Sequence, residues 1–309
     1  MFNRKDSFNS TRSQLLNFVP GSYMDRTSRP IYALLYLLGF IIIYEVGTIM
    51  TNPEVLDQTL GQTKIVVSFV WVQALLHLLG FSQRMTWIAA PLAVVIILLA
   101  MQITSRSRWT VRLPDFIYMT IECILLAVPL VVLSIFLNRP APNPTETACD
   151  IRPLPQTVYL AADTETAPAD NNNSQTSDLL VRTDGTEPGL MPNVVTGIGA
   201  GIYEELVFRL ILIYLLMFLF QDLLKFTKPR SLVLSVLIAA MLFSAHHHIF
   251  YLYGQLRPGE PFTMVKFIFR TLAGIYFAAL FAVRGFAVTA GAHVFYNIIA
   301  ALLNSFGNA

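Results

Sequence analysis

The sequence is short of charge. Of its 309 residues only 13% are Asp, Glu, Lys or Arg, while 55% are apolar; a soluble domain carries roughly 25% charged residues. With a mean hydropathy of +0.58, the chain has too little polar surface to cover a water-soluble globule. The same figures exclude a disordered chain, a collagen and a coiled coil. A formal charge of +2, with no basic stripe, gives no footing for a nucleic-acid partner. Cysteine is scarce as well. Cys123 and Cys149 make neither a disulfide framework nor a four-cysteine zinc site. One lies in an apolar run and the other in a polar one, so a bridge between them is not expected.

Several hydrolytic motifs are absent. The chain has no HExxH zinc pair, no GxSxG serine and no aspartate inside any apolar run, which argues against a two-aspartate protease.

What the chain has is apolar blocks, at about 31–50, 64–81, 87–103, 116–137, 194–220, 231–248, 262–283 and 286–304. A membrane-spanning helix needs about 20 mostly apolar residues, and in lipid the backbone must satisfy its own hydrogen bonds, which selects helix. The expected fold is therefore all-α: a polytopic integral membrane helical bundle of about eight transmembrane helices. Residues 1–30 read as a retained polar tail carrying Arg4, Lys5, Arg12, Arg26 and Arg29, on the cytoplasmic side by the positive-inside rule. Residues 31–137 form an N-terminal four-helix half. Residues 138–192, rich in Pro, Thr, Asn and Asp and net acidic, read as a flexible acidic loop. Residues 193–309 form a C-terminal four-helix half. Basic links at Arg106, Arg108 and Arg112, and at Lys225, Lys228 and Arg230, fall opposite the tail in this count, so the charge pattern sets no orientation.

Ionisable groups within apolar blocks are site candidates by default, because a charge at mid-bilayer costs about 2.5–3.5 kcal/mol on insertion scales. The N-terminal half offers Glu45, His77 and Glu122. The C-terminal half offers Glu204, Glu205, Arg209, His246, His247, His248, Lys266, Arg270 and His293, with Asn297 beside them. The site is expected there. Glu205 and Arg209 are four apart and share a helix face, where they can pair. Glu204 is turned about 100° away, uncompensated, and suits a general base. Three consecutive histidines point in three directions, so His246 and His248 are expected half-wet at the interface, leaving His247, four residues after Phe243, for the site. His293 and Asn297 again share a face, and two donors aimed at one point suit an oxyanion. Blander readings of these pairs are an ion pair and a polar clamp between helices. Metal binding by Glu204, His247 and His293 stays chemically open, since zinc accepts such ligands. Arg270 needs a partner in lipid, with Glu45 and Glu122 as options, or else it binds substrate.

Glu204-Glu205-x-x-x-Arg209, Phe243-x-x-x-His247 and His293-x-x-x-Asn297, in this order on consecutive apolar helices, resemble the CPBP family, which comprises the type II CAAX prenyl proteases and the Abi or bacteriocin-processing proteins. The resemblance covers about residues 190–305. It implies an eight-helix, glutamic-type, metal-independent intramembrane endopeptidase without cofactor. Glu204 would activate water with His247 as its partner, Glu205 and Arg209 would support the site, and His293 and Asn297 would form the oxyanion hole. Aligning on the Ala-His step selects His246 instead of His247. The implied partners are membrane lipids and a protein or peptide substrate, a lipid-anchored one being an option. The implied location is multi-pass in the membrane, the cell membrane if the source is bacterial. The alternative is a non-catalytic immunity or scaffold protein of the same fold. A transporter is a third class, weakened by the lack of an inverted repeat between the halves.

Overall fold

The computed structural model describes residues 18–51, 63–80, 83–137, 157–160, 189–252 and 255–307. Its apolar blocks are helices. In chain order these are α1 (Tyr23–Thr27), α2 (Pro30–Thr51), α3 (Val67–Leu78), α4 (Gln83–Ser105), α5 (Pro114–Leu137), α6 (Leu190–Leu223), α7 (Lys228–Ala245), α8 (Met264–Arg284) and α9 (Phe286–Gly307). Six of them, α2 and α5 to α9, are long and apolar enough to cross a membrane among the described residues. The expectation of about eight spans is thus met by six full-length helices and two shorter apolar ones, Val67–Leu78 and Ala90–Ser105. The 12 residues of α3 rise only about 18 Å, well short of the roughly 30 Å hydrocarbon core. The second block is shortened because its first residues form a strand, β1 (Thr63–Val66), paired antiparallel with β2 (Thr157–Leu160). Those four residues of β2 are the described part of the 138–188 stretch. A second antiparallel ladder joins β3 (Ile249–Leu252) and β4 (Gln255–Pro258) between α7 and α8.

Large apolar side chains such as Ile42, Ile121, Leu125, Val132, Phe136 and Phe218 face outward. In water such a surface would aggregate; in lipid it is the natural exterior. The chain is an integral multi-pass membrane protein. Nearly three quarters of Phe286–Phe306 is buried, against a third or less of each other span, so α9 is the central helix. It packs against α6, α5, α2 and α8. Gly285, at φ 78°, makes the tight reversal between α8 and α9 in a conformation that other residues rarely adopt.

The α6–α9 contact is close because α6 presents glycines. A Cβ on Gly201 would lie 2.6 Å from Val294 Cγ2 and 2.7 Å from the Val294 backbone nitrogen, as expected of small residues between membrane helices. Gly201→Ala is therefore expected to push α6 and α9 apart and destabilise the protein by about 1–3 kcal/mol, seen as a lowered melting temperature in detergent.

The end of the N-terminal tail is tied down. Ser22 caps α1 by accepting from the Asp25 amide. The basic residues of this stretch are paired: Arg26 with Asp115 at 2.8 Å and Arg29 with Asp25 at 2.7 Å. Tyr23 donates to Glu122 at 2.7 Å, and Glu122 takes a two-point contact from Arg284 at 2.5 and 2.7 Å. These carboxylates on α5 hold α1 and α8 together. Cys123 is a buried, free thiol; Cys149 lies outside the described residues.

Candidate active site

Three elements bring the polar side chains together: the middle of α6, the C-terminal end of α7, and α9. In the middle of α6, Glu204 and Glu205 are 1% and 0% exposed. From Leu206 to Leu212 the helix widens into a π-helical stretch, a geometry often found at functional sites. Arg209 lies within it, its Nε 3.1 Å from Glu205 Oε2, so the expected local pair forms. The guanidinium carbon also sits 4.2 Å from the Phe243 ring centre and 5.5 Å from that of Phe277. A cation this deep is held by a carboxylate on one side and two aromatic faces on the other.

Glu204 points elsewhere. Its Oε1 is buried without a hydrogen-bond partner among the described residues. Around it stand His246, with Nε2 3.8 Å from Oε1, and His293, with Nε2 3.9 Å from Oε2. Ligand atoms of Glu204, His246 and His247 all lie within 4.8 Å of one another. His293 Nδ1 is 2.8 Å from Glu205 Oε1, and the His293 ring stacks on Phe277 at 4.5 Å. Asn297 donates from Nδ2 to the Gly197 carbonyl at 3.0 Å. Glu204, His247, His293 and Asn297 line one cavity of about 30 Å³, walled by Phe243, Phe269, Ala273, Phe277 and Tyr296, with Arg270 also at its edge. That is room for about one or two waters.

The histidine run departs from expectation. His246, His247 and His248 are all buried, at 4%, 6% and 6% exposure; neither His246 nor His248 is half-wet. The reason is local. After Ala245 the helix gives way to a tighter turn, in which His247 and His248 donate their amides three residues back, to Ser244 and Ala245. Helical spacing no longer sets direction there. His246 and His247 both turn inward, each with Nδ1 on the Phe243 carbonyl, at 2.7 and 2.9 Å. His247 is on the cavity wall, and His246 sits behind it against Phe208 and Trp71. His248 turns the other way, to the Glu260 carbonyl and the Phe262 ring.

Arg270 pairs with neither Glu45 nor Glu122. Its Nη2 meets Glu260 Oε1 at 2.8 Å, and Lys266 shares the same carboxylate at 3.4 Å. Glu260 is brought there by the ladder between α7 and α8, its amide donating to the His247 carbonyl at 2.9 Å. The aromatic wall and this loop carboxylate escaped the sequence reading. Glu260 lies outside every apolar block, and Phe277 on α8 looks like any lipid-facing residue until its partner is known.

A buried carboxyl, histidines and an amide thus surround one small cavity. Residues 187–299 match the family described as type II CAAX prenyl endopeptidase Rce1-like. This C-terminal region is similar to that family. The match spans just over a third of the chain and takes in α6 to α9 up to Ile299, and with them every residue named around the cavity. No curated protein and no solved structure matches the chain. The Rce1-like region thus holds the ionisable cluster, while α2 and α5 pack against its central helix.

Proposed function

We propose that the protein is a glutamate-dependent intramembrane endopeptidase that hydrolyses a peptide bond of a membrane-associated substrate, with a prenylated C-terminal peptide as the substrate class the family points to. The observation that carries this reading is the cavity: a buried carboxyl, Glu204, whose Oε1 has no hydrogen-bond partner among the described residues, shares about 30 Å³ with His247, His293 and Asn297, inside a region of Rce1-like sequence. In this mechanism Glu204 and His247 take a proton from a water held between them, and the resulting hydroxide attacks the scissile carbonyl. The oxygen of that carbonyl gains charge and is held by donors from His293 and Asn297. The proton passes to the leaving amine. Glu205 and Arg209 do not touch the substrate; Glu205 fixes the His293 ring through Nδ1, and Arg209 neutralises Glu205. No step needs a metal.

The test is cleavage of a fluorogenic farnesylated peptide by the full-length protein in liposomes, with products identified by mass spectrometry. Hydrolysis by the wild type that is lost in Glu204→Ala and His247→Ala supports the mechanism; normal rates in either variant defeat it. The size of the cavity yields a further prediction. Ala273→Leu places three more carbons into a space for one or two waters, so turnover is expected to fall by about 10²-fold, as for a misplaced or excluded reactant, while the protein still purifies as a monodisperse species.

A further inference from the structure

The cluster at Glu204 holds one more lone pair than hydrolysis uses. The Nδ1 atoms of His246 and His247 both face the Phe243 carbonyl, which can only accept, so both rings carry their proton on Nδ1. Each Nε2 is then an acceptor. His246 Nε2 and Glu204 Oε1 stand 3.8 Å apart with no donor between them, and a ligand atom of His247 lies within 4.8 Å of both. A water has two protons and can serve two of these three atoms. A cation can serve all three.

We propose that Glu204, His246 and His247 form a binding site for a soft divalent cation of the zinc class, and that the bound ion silences the enzyme by occupying the place of the reacting water. The donor set is what zinc takes: two imidazole nitrogens and a carboxylate oxygen. Each histidine is already oriented by a hydrogen bond from its other nitrogen to a backbone carbonyl, the usual support of a metal-bound imidazole. Tetrahedral ligation at about 2.0–2.1 Å puts ligand atoms about 3.3 Å apart, so the pair at 3.8 Å needs to close by about half an ångström and pairs as far as 4.8 Å apart by up to about 1.5 Å. The cavity supplies the remaining coordination positions with water. His246, which the hydrolytic mechanism leaves unused, is the residue that turns a catalytic pair into a three-ligand site.

Binding stands apart from the proteolytic reading; only the silencing rests on it. The experiment therefore has two arms. In the first, the full-length detergent-purified protein, stripped with chelator, is titrated with Zn²⁺ by calorimetry and with Co²⁺ by visible absorption. One ion per chain with a tetrahedral cobalt spectrum is expected, with affinity reduced at least tenfold in His246→Gln and unchanged in His248→Gln, whose ring faces Glu260. No stoichiometric binding, or equal affinity in His246→Gln and wild type when both run as folded monomers, overturns the site. In the second arm, saturating Zn²⁺ is expected to stop cleavage of the farnesylated reporter and excess chelator to restore it. Stimulation by zinc, or indifference to it, overturns the silencing. If the protein cleaves nothing, the first arm still decides the site.

Discussion

Glu204→Gln is expected to reduce peptide cleavage by about 10²- to 10⁴-fold, the usual contribution of a general acid–base group, with little change in folding. Gln keeps the size of the side chain and removes only its ability to take a proton. Among the described residues the carboxyl has no hydrogen-bond partner at Oε1 and no cation closer than the histidines, whose nearest nitrogens are 3.8 and 3.9 Å away. Removing it therefore breaks no ion pair. Glu205 is the contrasting case. Glu205→Gln removes the charge opposite Arg209, a fully buried guanidinium, and breaking such a pair costs about 3–5 kcal/mol. Activity and stability should fall together in Glu205→Gln and part company in Glu204→Gln. Melting temperatures measured beside initial rates separate the two. A Glu204→Gln protein with wild-type turnover would remove the carboxyl from the mechanism.

Much of this arrangement is legible in the sequence because lipid imposes it. A helix in hydrocarbon must advertise itself as a long apolar run, so the helices follow from the blocks, and any ionisable residue inside one stands out. Glu205 with Arg209 follows from the four-residue repeat of the helix face, and the geometry agrees at 3.1 Å. The rule fails where the helix stops being regular. Nothing in Leu206–Leu212 signals its π-helical widening. The turn after Ala245 brings two consecutive histidines to one carboxyl, which a regular helix forbids. Arg270 shows a different limit: its partner, Glu260, lies just after a short ladder outside the membrane blocks, and hydrophobic periodicity carries no information on which loop residue returns to a helix. The cavity wall is the least legible part. Phe269, Phe277 and Tyr296 are ordinary membrane residues by composition, and only the packing of α7, α8 and α9 brings them with Phe243 around one cavity.

The oxyanion arm of the mechanism gives the second large effect, and the geometry sets a condition on it. Asn297 gives one amide proton to the Gly197 carbonyl. That bond fixes the amide plane, and the second proton is left for a ligand in the cavity. His293 presents Nδ1 to the Glu205 carboxyl at 2.8 Å. If that carboxyl is ionised, Nδ1 carries a proton, and Nε2 donates to an oxyanion only when the ring is an imidazolium. Negative charge developing on the substrate oxygen is what favours that second proton. Both donors therefore act when charge develops on the substrate oxygen, and little before. Asn297→Ala and His293→Ala are each expected to lower kcat by about 10²- to 10³-fold, the cost of one lost oxyanion donor, with KM nearly unchanged because the interaction is made in the transition state. Combining the two should cost less than the product of the single losses, since they hold the same atom. A purely structural clamp between α6 and α9 behaves otherwise: Asn297→Ala would then lower the melting temperature while the folded fraction keeps its full kcat. Rates on the farnesylated reporter, normalised to folded protein, decide between them.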